Sequence, residues 1–214
     1  MSLNNRIVKA KKVLCFGCSF TRYAWSTWAD LLKEKYKKIV NHGRAGAGNY
    51  YIFQKILEEY TTGNIDQQDL IMVCWTGIYR QDNKIRDNWH THGNLLSGKH
   101  WPKNVVKDFF DPEFLLERDL YYIYAINRIF EKQIINFSIS EFEQIIEYDP
   151  MKIKPPKTNI KIQETLNTFY PSFKQILGEG YWNQKKDPHP TTEQHKKYLE
   201  KVFLRNISNI KYIV

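Results

Sequence analysis

Three residues of this 214-residue chain have the types and setting for acyl-transfer chemistry. Ser19 follows the apolar run "KVLCF" within "FGCSFT", and Asp187 and His189 share the stretch "KKDPHPTT". A serine hydroxyl is a weak nucleophile until a base removes its proton. His189 is the base such a serine needs, and Asp187 can hold its imidazole in the required tautomer. Taken singly, each has an ordinary reading: a serine beside a helix start caps it, and Asp-Pro-His-Pro is a turn. What they do together depends on the elements that carry them.

Those elements alternate. Short apolar runs separated by helical patterns indicate parallel strands joined by crossover helices, hence a three-layer α/β/α arrangement with a central parallel sheet. "KVLCF" is the first strand. "WSTWADLLKEKY" follows as a helix with Trp25, Trp28, Leu31 and Leu32 on one stripe. "KKIVNHG" is a short second strand running into "GRAGAGN", and "YYIFQKILEEY" is the next helix, with Ile52, Ile56 and Tyr60 in register. The unbroken run "DLIMVCW" reads as a central strand. From Gln81 to Asp111 the pattern gives way to polar, Gly- and Trp-bearing sequence, too long for an ordinary connection, and an elaborated loop near the site is expected there. "PEFLLERDLYYIYAINRIFEKQ" is a long helix and "IINFS" a fourth strand. Residues 141–182, interrupted by "KIKPPK", are expected to form a lid or partner surface. "TTEQHKKYLEKVFLRN" closes the chain as an amphipathic helix with Thr191 or Thr192 as its N-cap.

Ligands of open parallel sheets bind outside the carboxyl ends of the strands. That rule places "FGCSFT", "NHGRAGAGN" and "WTGIYRQD" on one rim, with "KKDPHPTT" leading into the last helix. In this order the four stretches resemble the blocks of the SGNH hydrolase superfamily, the GDSL-type esterases and lipases, and "GCSFT" looks like one of its sub-branches. The family's Gly-Asp-Ser-x-Ser is matched by Gly17-Cys18-Ser19-Phe20-Thr21, and its Asn-x-Gly-x-x-Gly by Asn41, Gly43 and Gly46. Its Asp before His-Pro is matched by Asp187, His189 and Pro190, and His195 in the following helix also resembles the family. The resemblance spans the chain in order and implies a flavodoxin-like fold. It also implies an ester hydrolase needing no cofactor, with Ser19 as nucleophile, His189 as general base then acid, and Asp187 as the orienting carboxylate. The backbone N–H groups of Ser19 and Gly46 would then form the oxyanion hole. By the same analogy the substrate is a small-molecule or carbohydrate ester, O-acetyl groups among them, with Trp89 and Trp101 available to stack on sugar rings.

The chain departs from the family in three places. Cys18 replaces the Asp of the first block, which is not the triad member, and Asp187 stands two residues before His189 rather than the commoner three. No Asn occupies the third block, "WTGIYRQD"; Asn49 is the candidate replacement as third oxyanion donor. Arg80 either binds substrate or stabilises an anion, or it pairs with Asp82 or a surface carboxylate, and Trp75 and Cys18 are the other candidate substrate-facing residues. Cys18 is also a nucleophile in its own right if a helix N-terminus lowers its pKa, although its place in the block favours Ser19. Transfer of the acyl group to a sugar instead of water is equally open. A binding or assembly protein that keeps the fold without turnover is the rival reading.

Composition bounds the rest. With 42% hydrophobic residues the chain can bury one substantial core, and a single domain over 1–214 is expected. No run approaches the roughly 20 apolar residues of a membrane span, and "MSLNNRIVKAKK" is too charged for a secretory signal. Three cysteines, Cys15, Cys18 and Cys74, form no paired motif; with Cys15 and Cys74 in apolar runs, a reducing, cytoplasmic setting is expected. The net charge of +9 is spread through helical patterns and a loop, with no phosphate loop or RNA-binding signature beside it. It reads as solvated surface, not as a nucleic-acid site. His90 and His92, with Asp87 and His100 nearby, lack a third ligand at a recognised spacing, so no metal is expected. The oligomeric state is not encoded in any of these patterns.

Overall fold

The computed structural model describes residues 3–36, 38–97, 99–140, 166–178, 187 and 189–204. Its elements are α1 (Leu3–Lys9), β1 (Val13–Gly17), α2 (Trp28–Lys35), β2 (Ile39–Asn41), α3 (Asn49–Thr61) and β3 (Leu70–Trp75), then β4 (Arg80–Ile85) and β5 (Asn88–Asn94). After a 3-10 turn at Leu95–Ser97 come α4 (Lys103–Phe109), α5 (Pro112–Phe130), β6 (Ile134–Ser138), α6 (Phe173–Leu177) and α7 (Thr192–Leu199), which loosens into a π-turn at Glu200–Leu204.

Four strands form a parallel sheet in the order β2–β1–β3–β6, the flavodoxin-like order with its switch between β1 and β3. The apolar runs explain it: β1, β3 and β6 are buried at every residue, as strands covered on both faces must be. Register pairs Gly17 with Cys74 and Trp75 with Ser138, so the carboxyl ends of the strands share one rim. On one face α3 packs against β1, β3 and α5. On the other, α2 packs on α7, and α7 on α6, around Trp28, Phe137, Phe173, Tyr198 and Phe203.

Several elements differ from the expectation. The stretch after Arg80 opens with an antiparallel hairpin, β4–β5, turned by Arg86 and Asp87 at φ 47° and 66°. Two positive φ values in a two-residue turn match the twist of a hairpin. Its ladder is polar, so no apolar alternation announces it. Helix α2 begins at Trp28, because Thr27 N donates to Asp30 Oδ2 (3.0 Å) and fixes the start there; Trp25 lies outside the helix. On α3, Tyr60 is exposed and Glu59 takes the buried position, held by Lys55 at 2.7 Å. Thr191, not Thr192, caps α7. Of the expected lid or partner surface at 141–182, only 166–178 are described, and "KIKPPK" lies outside the described residues. Among the described residues no helix is long and apolar enough to cross a membrane.

Candidate active site

The β1–α2 connection carries Ser19 to the rim at its centre. Thr21 N and Arg22 N both donate to Cys18 O, at 2.9 and 3.2 Å, forming a tight turn that leaves Ser19 at its apex, only 3% exposed. The turn is tied to its neighbours through Thr21 O, which accepts from Thr27 Oγ1 (2.6 Å) and Asn41 Nδ2 (2.8 Å). Asn41 also orders the next loop, its Oδ1 accepting from Gly43 N at 2.9 Å. A Cβ at Gly43 would lie 2.8 Å from the Thr21 side chain, so the two loops approach closely because that residue has none. Arg44 N then donates to Gly17 O at 3.0 Å and fastens the glycine loop to the end of β1. Gly46 sits at φ +75°, and a Cβ there would meet Thr91 O at 2.5 Å. Both conditions select glycine.

His189 arrives from the loop before α7. Its Nε2 is 2.8 Å from Ser19 Oγ and its Nδ1 is 2.5 Å from Asp187 Oδ1. An ionised carboxylate only accepts, so Nδ1 carries the proton and Nε2 is left to accept from the Ser19 hydroxyl. Asp187 Oδ1 also accepts from the His189 backbone N–H at 3.0 Å, folding the "DPH" turn onto itself. Partial burial pushes the Asp187 carboxyl up, but donors from Tyr23 and His189 outweigh it and hold it below the usual carboxylate range. Thus 170 residues of sequence separate two groups in hydrogen-bond contact. This arrangement can move a proton from the serine to the imidazole and keep the resulting imidazolium beside a negative charge.

Other candidate residues take different places. Asn49 is fully buried, and its side chain is committed: Nδ2 donates to Thr76 O (2.9 Å) and Asp119 Oδ2 (2.7 Å), while Oδ1 accepts from Thr76 N (2.9 Å). With both amide hydrogens taken, Asn49 is not a third oxyanion donor; it clamps the residue that follows β3. Trp75 is likewise buried, its Nε1 donating to Asn136 Oδ1 at 2.9 Å, and belongs to the core, not to a substrate surface. Cys18 is buried with Cys15 and Cys74 and packs in the hydrophobic core. Arg80 is half-buried and gives Nη1 to Ala47 O at 3.1 Å, serving the glycine loop's backbone; burial raises the pKa of Asp82, and Arg80 is among the groups that oppose the rise. His195 is buried against Phe20 and Phe173. Burial lowers its pKa to about 3.

The hairpin backs the glycine loop along its length. Gly93 N donates to Gly46 O (3.0 Å), Thr91 Oγ1 to Ala45 O (2.8 Å) and Arg44 Nη2 to Trp89 O (2.6 Å). Trp89 meets the rings of Tyr50 and Tyr51 edge-on, at 5.7 and 5.2 Å, and Trp101 packs on Phe110 at 5.6 Å. His92 lies beside His90 and His100, with ring centroids 6.2 and 5.2 Å away. Among the described residues no group of three or more His, Cys, Asp or Glu side chains is placed to hold a metal ion.

Two acids anchor the rim: Asp82, which ends "WTGIYRQD", and Asp119, which lies in none of the motifs. Asp82 accepts from Gly48 N (2.9 Å) and Tyr51 N (2.8 Å), facing the N-terminus of α3, where backbone donors lack intrahelical partners. Asp119 accepts from Asn49 Nδ2 and from Arg118 Nε (2.9 Å). Burial pushes its pKa up to about 7 against the pull of Arg118 and Asn49. Its sequence signal is an acid inside the apolar stripe Leu116, Leu120 and Ile123 of α5. Tyr23, whose hydroxyl reaches Asp187, carries no sequence signal at all.

No family model matches the chain, and no curated protein matches it. Among solved structures it is similar to a member of the lipolytic protein G-D-S-L family from Veillonella parvula DSM 2008, with TM-score 0.48 and 13% identity, covering 91% of this chain and 98% of that one. It is also similar to a GDSL-like lipase candidate from Parabacteroides merdae ATCC 43184, with TM-score 0.47 and 16% identity, covering 90% and 95% of the two chains.

Proposed function

We propose that the protein is a serine ester hydrolase. The observation that carries this reading is the unbroken line from Ser19 Oγ to His189 Nε2 at 2.8 Å and from His189 Nδ1 to Asp187 Oδ1 at 2.5 Å. In the proposed reaction Ser19 Oγ attacks the ester carbonyl as its proton passes to His189. The backbone N–H groups of Ser19 and Gly46 donate to the oxyanion, and His189 then protonates the leaving alcohol. Water, deprotonated by the same imidazole, releases the acyl group and restores Ser19. An alcohol acceptor in place of water makes the same site an acyltransferase. Ser19 is only 3% exposed, which favours a short acyl group such as acetyl; by analogy with the resembled family, an O-acetylated carbohydrate is the proposed substrate class.

The test is intact mass after exposure to a fluorophosphonate probe, with p-nitrophenyl acetate turnover measured alongside. A single adduct is expected on wild type and none on Ser19→Ala, with labelling of His189→Ala slowed by roughly a hundredfold or more. Turnover falls in the same order. An adduct that persists in Ser19→Ala, or no adduct on folded wild type while a control esterase is labelled, refutes the reading.

A further inference from the structure

We infer that Tyr23 is a positioning residue that holds Asp187 and His189 together, an inference that rests on the hydrolase reading. Its hydroxyl donates to Asp187 Oδ2 at 2.7 Å, on the oxygen that His189 does not use. Its ring also lies on the His189 imidazole, with centroids 4.0 Å apart and planes 23° from parallel. One side chain therefore fixes both the rotation of the carboxylate and the plane of the base. This matters because the carboxylate is not locked by burial: the Asp187 side chain retains 31% of its exposure. A half-exposed aspartate two residues from its histidine needs an outside contact to choose one rotamer.

Neighbouring contacts fix the segment that makes this one. Trp25 packs edge-on against Tyr23 at 4.6 Å, and its Nε1 donates to Pro190 O at 2.8 Å. Thr192 Oγ1 donates to Ser26 O at 3.1 Å. The segment that presents Ser19 thus grips the loop of His189 on both sides of the imidazole. The hydrogen bond to Asp187 raises the Tyr23 pKa above its ordinary value, so the phenol stays protonated and remains a donor across the neutral range.

Among the described residues, the titratable and charged groups around the pair come from three elements. Ser19 and Tyr23 come from the β1–α2 segment, and His195 comes from α7. Asp30 of α2 interacts with His195, and His195 in turn with His189. Among the described residues, Tyr23 is in direct contact with both members. Removing its hydroxyl leaves the Asp187 charge less dispersed, which strengthens its attraction for the imidazolium and favours the protonated base.

The experiment compares wild type with Tyr23→Phe and Tyr23→Leu, using p-nitrophenyl acetate as the probe ester. For Tyr23→Phe, which keeps the stacked ring, the acid limb of the kcat/KM profile is expected to move to higher pH by roughly half a unit. Its plateau should fall about threefold to tenfold. Tyr23→Leu, which loses ring and hydroxyl, should fall further. A change in plateau without movement of the limb, or a Tyr23→Phe profile that superimposes on wild type, overturns the inference. To separate it from the hydrolase reading, the His189 ring-proton titration is followed by NMR in the Ser19→Ala background, with and without Tyr23→Phe. An upward move of the midpoint in the double variant supports the coupling whatever the turnover, and coincident midpoints refute it. Failure of Ser19-dependent labelling counts against the hydrolase reading alone.

Discussion

Asp119 offers the clearest measurable consequence of how the rim is built. It is fully buried, and its neighbours pull in opposite directions: burial disfavours the carboxylate, while Arg118 and Asn49 donate to it at 2.7 to 2.9 Å. The balance lifts its pKa from 3.8 to about 7. A rise of that size corresponds to roughly 4 kcal/mol of folding free energy. The sign follows from proton binding. Between about pH 4 and pH 7 the folded chain keeps a proton that the unfolded chain has released, so stability falls as pH rises and the full loss is reached above pH 7. Asp119→Asn keeps the shape and an acceptor for Asn49 but does not titrate. In urea unfolding at pH 4.5, 6 and 8, the stability of the variant relative to wild type should therefore climb by about 3 kcal/mol across the series, the first part of the loss lying below pH 4.5. Taking the difference cancels the other titrating groups, except for coupling to Asp82, which burial also raises. A wild-type-minus-variant difference that stays flat from pH 4.5 to 8 would mean that the donors keep Asp119 ionised throughout, and the reasoning fails.

Two further outcomes are expected. Gly46→Ala must strain a backbone at φ +75° and press a Cβ to 2.5 Å from Thr91 O. It should lower the urea unfolding free energy by about 2 kcal/mol and p-nitrophenyl acetate turnover at least about tenfold, since the donor N–H moves with the loop; wild-type values for both would refute the placement. His195, whose pKa burial lowers from 6.5 to about 3, binds its proton only on unfolding, so it costs the protein stability as pH falls below about 6.5 towards 3. His195→Phe should remove that part of the acid loss while filling the same space beside Phe20 and Phe173, and equal losses between pH 7 and 4.5 in the two proteins would contradict it.

The strands were legible because their signal is local: Val13–Gly17, Leu70–Trp75 and Ile134–Ser138 are unbroken apolar runs, and a parallel sheet covered on both faces needs nothing else. Trp25 shows where periodicity misleads. It falls in helical register with Trp28, Leu31 and Leu32, yet the Thr27–Asp30 capping pair starts the helix after it and frees Trp25 to reach Pro190 O. The hairpin was hidden for the opposite reason. Arg80–Ile85 and Asn88–Asn94 are polar on both faces, and Arg-Asp is not a usual turn pair. At the candidate site, Ser19, Asp187 and His189 were nameable from residue type and place in the order of motifs. Asn49 was misread because its role depends on Thr76 and Asp119, 27 and 70 residues away. Tyr23 could not be found at all, since no spacing rule joins it to a carboxylate 164 residues further on.

The distribution of these contacts explains how two distant segments hold a proton-transfer geometry. Residues 18–27 do more than present Ser19: Tyr23 holds Asp187, Trp25 holds Pro190, and Ser26 O receives Thr192. The serine and its base are therefore referenced to one short stretch of chain, not independently to the core. That stretch is closed on itself by Thr27, and pinned from outside by Asn41, both through Thr21 O. An error in the seating of α7 consequently displaces His189 only as far as the 18–27 segment yields. The glycine loop has its own support in the hairpin and the Asp82–Asp119 network, so Gly46, one of the two donors proposed for the oxyanion, is braced by contacts that the groups proposed to move the proton do not share. Damage to Asp119 or Gly46 should accordingly slow the acyl chemistry without shifting the acid limb of its pH profile, whereas loss of the Tyr23 hydroxyl should shift that limb. The two classes of variant are separable by the shape of the profile even where their rates coincide.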